Sequence, residues 1–192
     1  RDYAELGRVR VQLDDEGLTI SNPGGFIEDI SFCNLLDAEP QGRNQALADA
    51  LKRIGLAERT GRGIDRIYEG ALIYGKRLPD YSGSTSKRVE VYMPNSAADE
   101  EFMKCLRTAQ KNSGKPFSVK ALMVLYLLKL HGKLTFAELH SMIGSGSSRI
   151  ESTLESLLKR GIIVESGKHY MMNTPNVAKE SRSVFVTKPV EA

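Results

Sequence analysis

The chain has no tryptophan, only two cysteines and only three histidines among 192 residues. Each scarcity excludes something. Cys33 and Cys105 stand far apart, both among apolar neighbours, and cannot make the multi-bridge framework of a small secreted domain. They predict two reduced, buried thiols and a cytoplasmic setting. His131, His140 and His169 share no ligand spacing with one another or with the cysteines, so no metal site is predicted. No apolar run approaches the ~18–20 residues that span a bilayer. The most apolar stretch, residues 122–130, is short and carries Lys129, which marks a buried helix and argues against a membrane partner. No nucleophile–base pair and no Gly-x-Ser-x-Gly elbow is legible, so no catalytic residue is assigned.

A large charge of either sign is also absent, but the small net +3 is unevenly spread. Residues 1–114 carry 16 basic against 18 acidic residues, a net of −2. Residues 115–170 carry 8 basic against 4 acidic, a net of +4. A positive excess confined to the second part points to nucleic acid there.

What is present is hydrophobic periodicity. Val9, Val11 and Leu13, then Leu18 and Ile20, alternate with polar residues around an acidic turn, which predicts a β-hairpin. Ser31 is placed to cap a short helix through Leu36, and Asn44 a clearer one with Leu47, Ala50, Leu51 and Ile54 on one face. A third helix is expected over 64–74 and a returning strand over 89–93, ending at Pro94. Residues 95–99 are a polar boundary. Asp99 caps a helix to about Lys111, and residues 111–116 read as a linker.

The second part predicts three helices and a hairpin. Ser118 caps the first helix; Thr135-Phe136-Ala137-Glu138 and Ser148-Arg149-Ile150-Glu151 each match a capping box. Two short apolar strands then flank Ser166-Gly167-Lys168. That order is the order of a winged helix-turn-helix, with its basic hairpin tip as the wing. In such a domain the third helix enters the major groove. Its groove-facing positions would be Ser145, Ser147, Ser148, Arg149, Ser152 and Thr153, with Lys168 and His169 at the hairpin tip for phosphate contact. Hydroxyls suit phosphate positioning, and Arg149 alone among them can read guanine through two hydrogen bonds. Double-stranded DNA is the expected partner. A homodimer is compatible with the sequence.

Three glycine motifs occupy the first third: Ile20-Ser21-Asn22-Pro23-Gly24-Gly25-Phe26, then Gly42-Arg43-Asn44, then Glu58-Arg59-Thr60-Gly61-Arg62-Gly63-Ile64-Asp65-Arg66. A Gly-x-Gly running into a helix aims backbone N–H groups where an anion can sit. Their order resembles the C-terminal domain of RecG-like, Schlafen/AlbA-type transcriptional regulators, a divergent branch of the GHKL (Bergerat-fold) ATPases. The resemblance spans roughly residues 1–95. It implies an α+β fold: a truncated Bergerat-like α/β sandwich, followed by the winged helix-turn-helix. It also implies Asn22, Gly24, Gly25, Gly61, Arg62 and Gly63 as nucleotide contacts.

Two departures weaken that implication. No carboxylate stands where the family's adenine-binding aspartate belongs. Arg1-Asp2-Tyr3 resembles the segment that follows the family's N-box helix, whose asparagine holds magnesium. No cofactor is therefore expected in this chain, with ATP and magnesium left to an intact parent protein, and ATP hydrolysis by the chain is not expected. The alternative favoured here is that the glycines make tight turns while Arg43, Asn44, Glu58 and Arg59 form a local polar network. The expected organisation is an ATPase-like domain at 1–95, helix and linker at 96–115, a winged-helix domain at 116–172 and a tail at 173–192. The expected function is a DNA-binding transcriptional regulator whose ATPase-like domain acts as sensor or oligomerisation platform. Competing with it are a fragment of an ATP-dependent nucleic-acid-processing protein and a scaffold that binds other proteins.

Overall fold

The structure, a computed structural model, describes residues 1–31, 34–39, 41–56, 62–144 and 146–173. The tail from 174 and Cys33 lie outside the described residues. The fold is α+β, with two small antiparallel sheets among helices.

The predicted hairpin forms as β1 (Arg10–Leu13) and β2 (Gly17–Pro23). The Asp14 carboxylate closes its turn by accepting the N–H groups of Glu16 and Gly17, each at 3.0 Å. Strand β3 (Arg88–Pro94) pairs with β2, giving the order β1-β2-β3. Register sets Val11, Ile20 and Val91 in one cross-strand row and Leu13, Leu18 and Met93 in the next. Helices α1 (Gln45–Arg53) and α2 (Gly63–Ile73) follow the expected periodicity.

Two local expectations fail here. Asn44 occupies the N-cap position of α1 without capping it; its side chain instead donates to the Arg1 carbonyl at 2.7 Å. The described residues of 31–36 hold no helix. The Asn34 side chain accepts from the Ser31 N–H at 2.8 Å and donates to the Asp29 carbonyl at 2.7 Å. Such side-chain bonds compete with the helical ladder and fix a turn instead.

Helix α3 (Glu100–Ser113) starts at Asp99, whose carboxylate accepts from the Phe102 N–H at 2.9 Å. Helix α4 (Val119–His131) is capped by Ser118. A three-residue strand, β4 (Lys133–Thr135), was too short to leave a pattern in the sequence. Helix α5 (Phe136–Ile143) has the full Thr135/Glu138 capping box. The second box does not form: α6 (Ser147–Lys159) begins two residues earlier than that box implies, with Gly146 at its N-cap and Ser148 already inside the first turn. Strands β5 (Ile163–Ser166) and β6 (His169–Met172) complete a second sheet of order β4-β6-β5.

Helix α4 is apolar around most of its circumference, which requires partners on several sides. It buries Ala121 through Leu125, Leu127 and Leu128. Around it lie Phe102 and Leu106 of α3, Leu139 and Ile143 of α5, Ile150, Leu154 and Leu157 of α6, and Ile163 of β5. The same buried cluster continues into Tyr68 and Leu72 of α2 and into Tyr81. The linker is pinned: the Arg160 guanidinium donates to the Ser113 hydroxyl and, at 2.8 Å, to the Lys115 carbonyl. It also lies 4.3 Å from the centroid of the Phe117 ring.

Candidate functional site

Gly24 and Gly25 are placed by crowding. Gly24 has φ of +92°, and a Cβ there would stand 2.5 Å from the Asp2 Cβ and 2.6 Å from an Arg43 guanidinium nitrogen. A Cβ on Gly25 would stand 2.5 Å from the Ser86 carbonyl oxygen. Both positions therefore need glycine for close approach of one chain segment to another. Arg43 donates to the Gly25 carbonyl at 3.4 Å and pairs with Asp2 at 3.4 Å. The Arg43–Asn44 part of the expected polar network thus exists, with Arg1 and Asp2 as its partners. Glu58 and Arg59 lie outside the described residues.

Beside this network is an open cavity of about 440 Å³, lined by Asn22, Gly25, Phe26, Arg43, Asn44 and Leu47 among others. Asn22 turns its amide to the Pro23 carbonyl at 3.2 Å. Arg62 and Gly63 are exposed at the start of α2 and are not among the described lining residues. Nothing stands within 4 Å of a Cβ built on Gly63. Gly61 lies outside the described residues. The structure thus gathers Asn22 and Gly25 around one cavity and leaves the described part of the third glycine motif apart from it.

Several titratable groups with shifted behaviour are set against acid–base work. Burial, and then the neighbouring Tyr68, pushes the Tyr81 phenol up to about 12. Burial, then the Asp80 charge, raises Tyr68. The Ser82 N–H and hydroxyl hold Asp80 below the usual carboxylate range. Burial, with Glu101 adding to it, raises the half-buried Cys105 thiol, which disfavours the thiolate a nucleophile needs.

In the second sheet-and-helix unit, Ser147, Ser148, Arg149 and Ser152 lie on the exposed face of the first two turns of α6. The hydroxyls of Ser152 and Thr153 both donate back to the Arg149 carbonyl, at 3.0 and 2.7 Å. Their oxygens can still accept, but each has already used its proton. Lys168 is exposed at the β5–β6 turn. His169, expected at the tip, is half-buried inside β6, paired across to Ser166 and Thr135. Ser145 lies outside the described residues. Arg149 is 60% exposed at its side chain but not free: its guanidinium donates to the Asp37 carboxylate at 2.5 Å.

Residues 7–93 match the model of the family described as "Putative ATP-dependent DNA helicase recG C-terminal". This part of the chain is similar to that ATPase-like domain, over 87 of the 192 residues. No curated protein sequence matches the chain. Among solved structures, the crystal structure of the DIP2311 protein from Corynebacterium diphtheriae superposes with a TM-score of 0.75 at 23% identity, over 90% of this chain and 37% of that one. That likeness concerns fold, and the chain spans little more than a third of DIP2311's length. It extends well past the ATPase-like domain, because 90% coverage must include the helices that follow residue 93.

Sequence reasoning missed Asp37. This residue of the ATPase-like domain forms an ion pair with Lys120 of α4, contacts Arg149, and accepts the Gly146 N–H at 2.7 Å. No local pattern signals it: its partners are 83 to 112 residues away. Arg160, beside the same surface in sequence, is occupied with Ser113, Lys115 and Phe117.

Proposed function

We propose that this chain belongs to a DNA-binding transcriptional regulator in which residues 116–172 act as a winged helix-turn-helix. The ATPase-like domain serves as its sensor or oligomerisation platform. The observation that carries the proposal is the order α4-β4-α5-α6-β5-β6 with sheet order β4-β6-β5, which leaves one face of α6 exposed and polar. A helix presented this way fits a major groove. On that surface Ser147 and Ser148 meet backbone phosphates, Arg149 reaches a base edge and Lys168 touches the backbone from the hairpin turn, while Ser152, whose proton goes to the Arg149 carbonyl, lines the same face. His169 stiffens the hairpin rather than leading it. The partner is duplex DNA, and the setting is cytoplasmic.

Nucleotide has no assigned role in this chain, since Gly24 and Gly25 are already required by close packing.

Fluorescence anisotropy with labelled duplex DNA at several salt concentrations tests the proposal. Lys168→Ala should weaken binding similarly on all sequences and flatten the salt slope by about one unit. Arg149→Ala should weaken binding and relax sequence preference. An absence of salt-dependent affinity at low ionic strength would remove the regulator assignment. A rise in melting temperature with millimolar ATP and magnesium would instead favour the ATP-dependent alternative, because a ligand of the native state stabilises it by mass action.

A further inference from the structure

We infer that Asp37 is an intramolecular competitor for nucleic acid at the start of α6, so that the ATPase-like domain occupies donors that would otherwise meet DNA there. The inference rests on the function proposed above. One Asp37 oxygen accepts the Gly146 N–H at 2.7 Å; the other accepts from Arg149 and pairs with Lys120. A backbone amide at a helix start, a guanidinium and an ammonium are the donors a phosphate would use. Here they converge on a carboxylate from another part of the chain.

The contact is built, not incidental. Asn34 fixes the turn that carries Asp37 through its bonds to Ser31 and Asp29. Leu35 and Leu36 anchor the same turn against the hydrophobic core. The Asp37 side chain is only 15% exposed, whereas the Arg149 side chain it holds is 60% exposed. A phosphate approaching Arg149 therefore meets a guanidinium already paired and a negative charge behind it. Lys120, at 19% exposure, is a partner of the clamp and not a surface contact for DNA. Affinity for a ligand falls by the fraction of molecules whose site is open, so a closed clamp lowers apparent DNA affinity without altering the surface.

The test uses the whole chain and a fluorescein-labelled duplex. Asp37→Asn removes the charge while keeping the shape. It should tighten binding by about tenfold and steepen the salt dependence, because a negative charge that opposes the phosphates at the start of α6 is removed. Adding Arg149→Ala to Asp37→Asn should return affinity to the parent's value or below. Lys120→Met guards against a misfolded Asp37→Asn: it removes a positive charge, yet should also tighten binding, by a smaller factor. If the parent binds DNA and both Asp37→Asn and Lys120→Met bind equally or more weakly, Asp37 orients Arg149 instead of blocking it, and the clamp is overturned while the regulator assignment stands. If neither parent nor variants bind, both fall.

Discussion

Strand β1 and helix α4 are both read from apolar periodicity, but they end in opposite environments. Val9, Val11 and Leu13 are 52%, 65% and 78% exposed, while Leu122, Val124 and Leu125 are fully buried. Burial falls along the cross-strand row: Val91 on β3 packs against the core, Ile20 on β2 is half-buried, and Val11 on β1 is exposed. The hydrophobic core reaches Val91 of β3 and stops short of the outer strand. Alternation thus tells which side chains share a face but not what covers that face.

The largest effect should come from contrasting the two environments directly. Leu125→Ala removes a side chain from the centre of the core and should cost about 3 kcal/mol in urea denaturation. Val11→Ser should stay within about 0.5 kcal/mol, as exposed substitutions usually do. Equal losses would mean that β1 is covered in solution.

A middle-sized effect should separate the glycines. Gly25→Ala drives a methyl group into the Ser86 carbonyl, an obstacle of backbone that must move, and should cost about 2 kcal/mol. Gly63→Ala meets open space inside a helix and should be neutral or stabilising by up to about 1 kcal/mol. If Gly25→Ala left thermal stability unchanged, the close-packing role given to this motif would fail.

The smallest effect tests the join between the two parts. Asp99 caps α3, pairs with Lys129, and its N–H donates to the Gly75 carbonyl at 2.8 Å. Partial burial pushes its carboxyl upward, but the bonds from Lys129 and the Phe102 N–H outweigh that and leave it below the ordinary value. Asp99→Ala should cost about 1 kcal/mol at neutral pH, most of it from the lost cap, since a partly exposed ion pair adds little. A carboxyl lowered by folding stabilises above its unfolded value and loses that contribution as pH falls through its folded value. The gap between parent and variant should therefore shrink below about pH 4. A gap that stayed constant into acid would show that the carboxylate charge contributes nothing.

Capping residues whose partners lie three positions away were legible: Asp99, Ser118 and Thr135 all do what their spacing implies. Where a side chain had a rival partner, spacing misled. Asn44 turns to Arg1, Asn34 holds a turn in place of a helix, and Ser148 sits inside the helix it was expected to cap. The α6 surface was legible as a set of residues, except that His169 belongs to a strand and Arg149 is engaged.

Local pattern was enough for most of the elements, the α+β class and the likeness of residues 7–93 to the RecG C-terminus, because periodicity, caps and turn residues act over a few positions. Only tertiary structure decided that Gly24 and Gly25 accommodate neighbouring chain segments, and that one core runs from α2 through α4 to β5. It alone revealed that a carboxylate from the first part closes on the helix of the second. Those contacts join residues tens to more than a hundred positions apart, and nothing in either local segment encodes its partner.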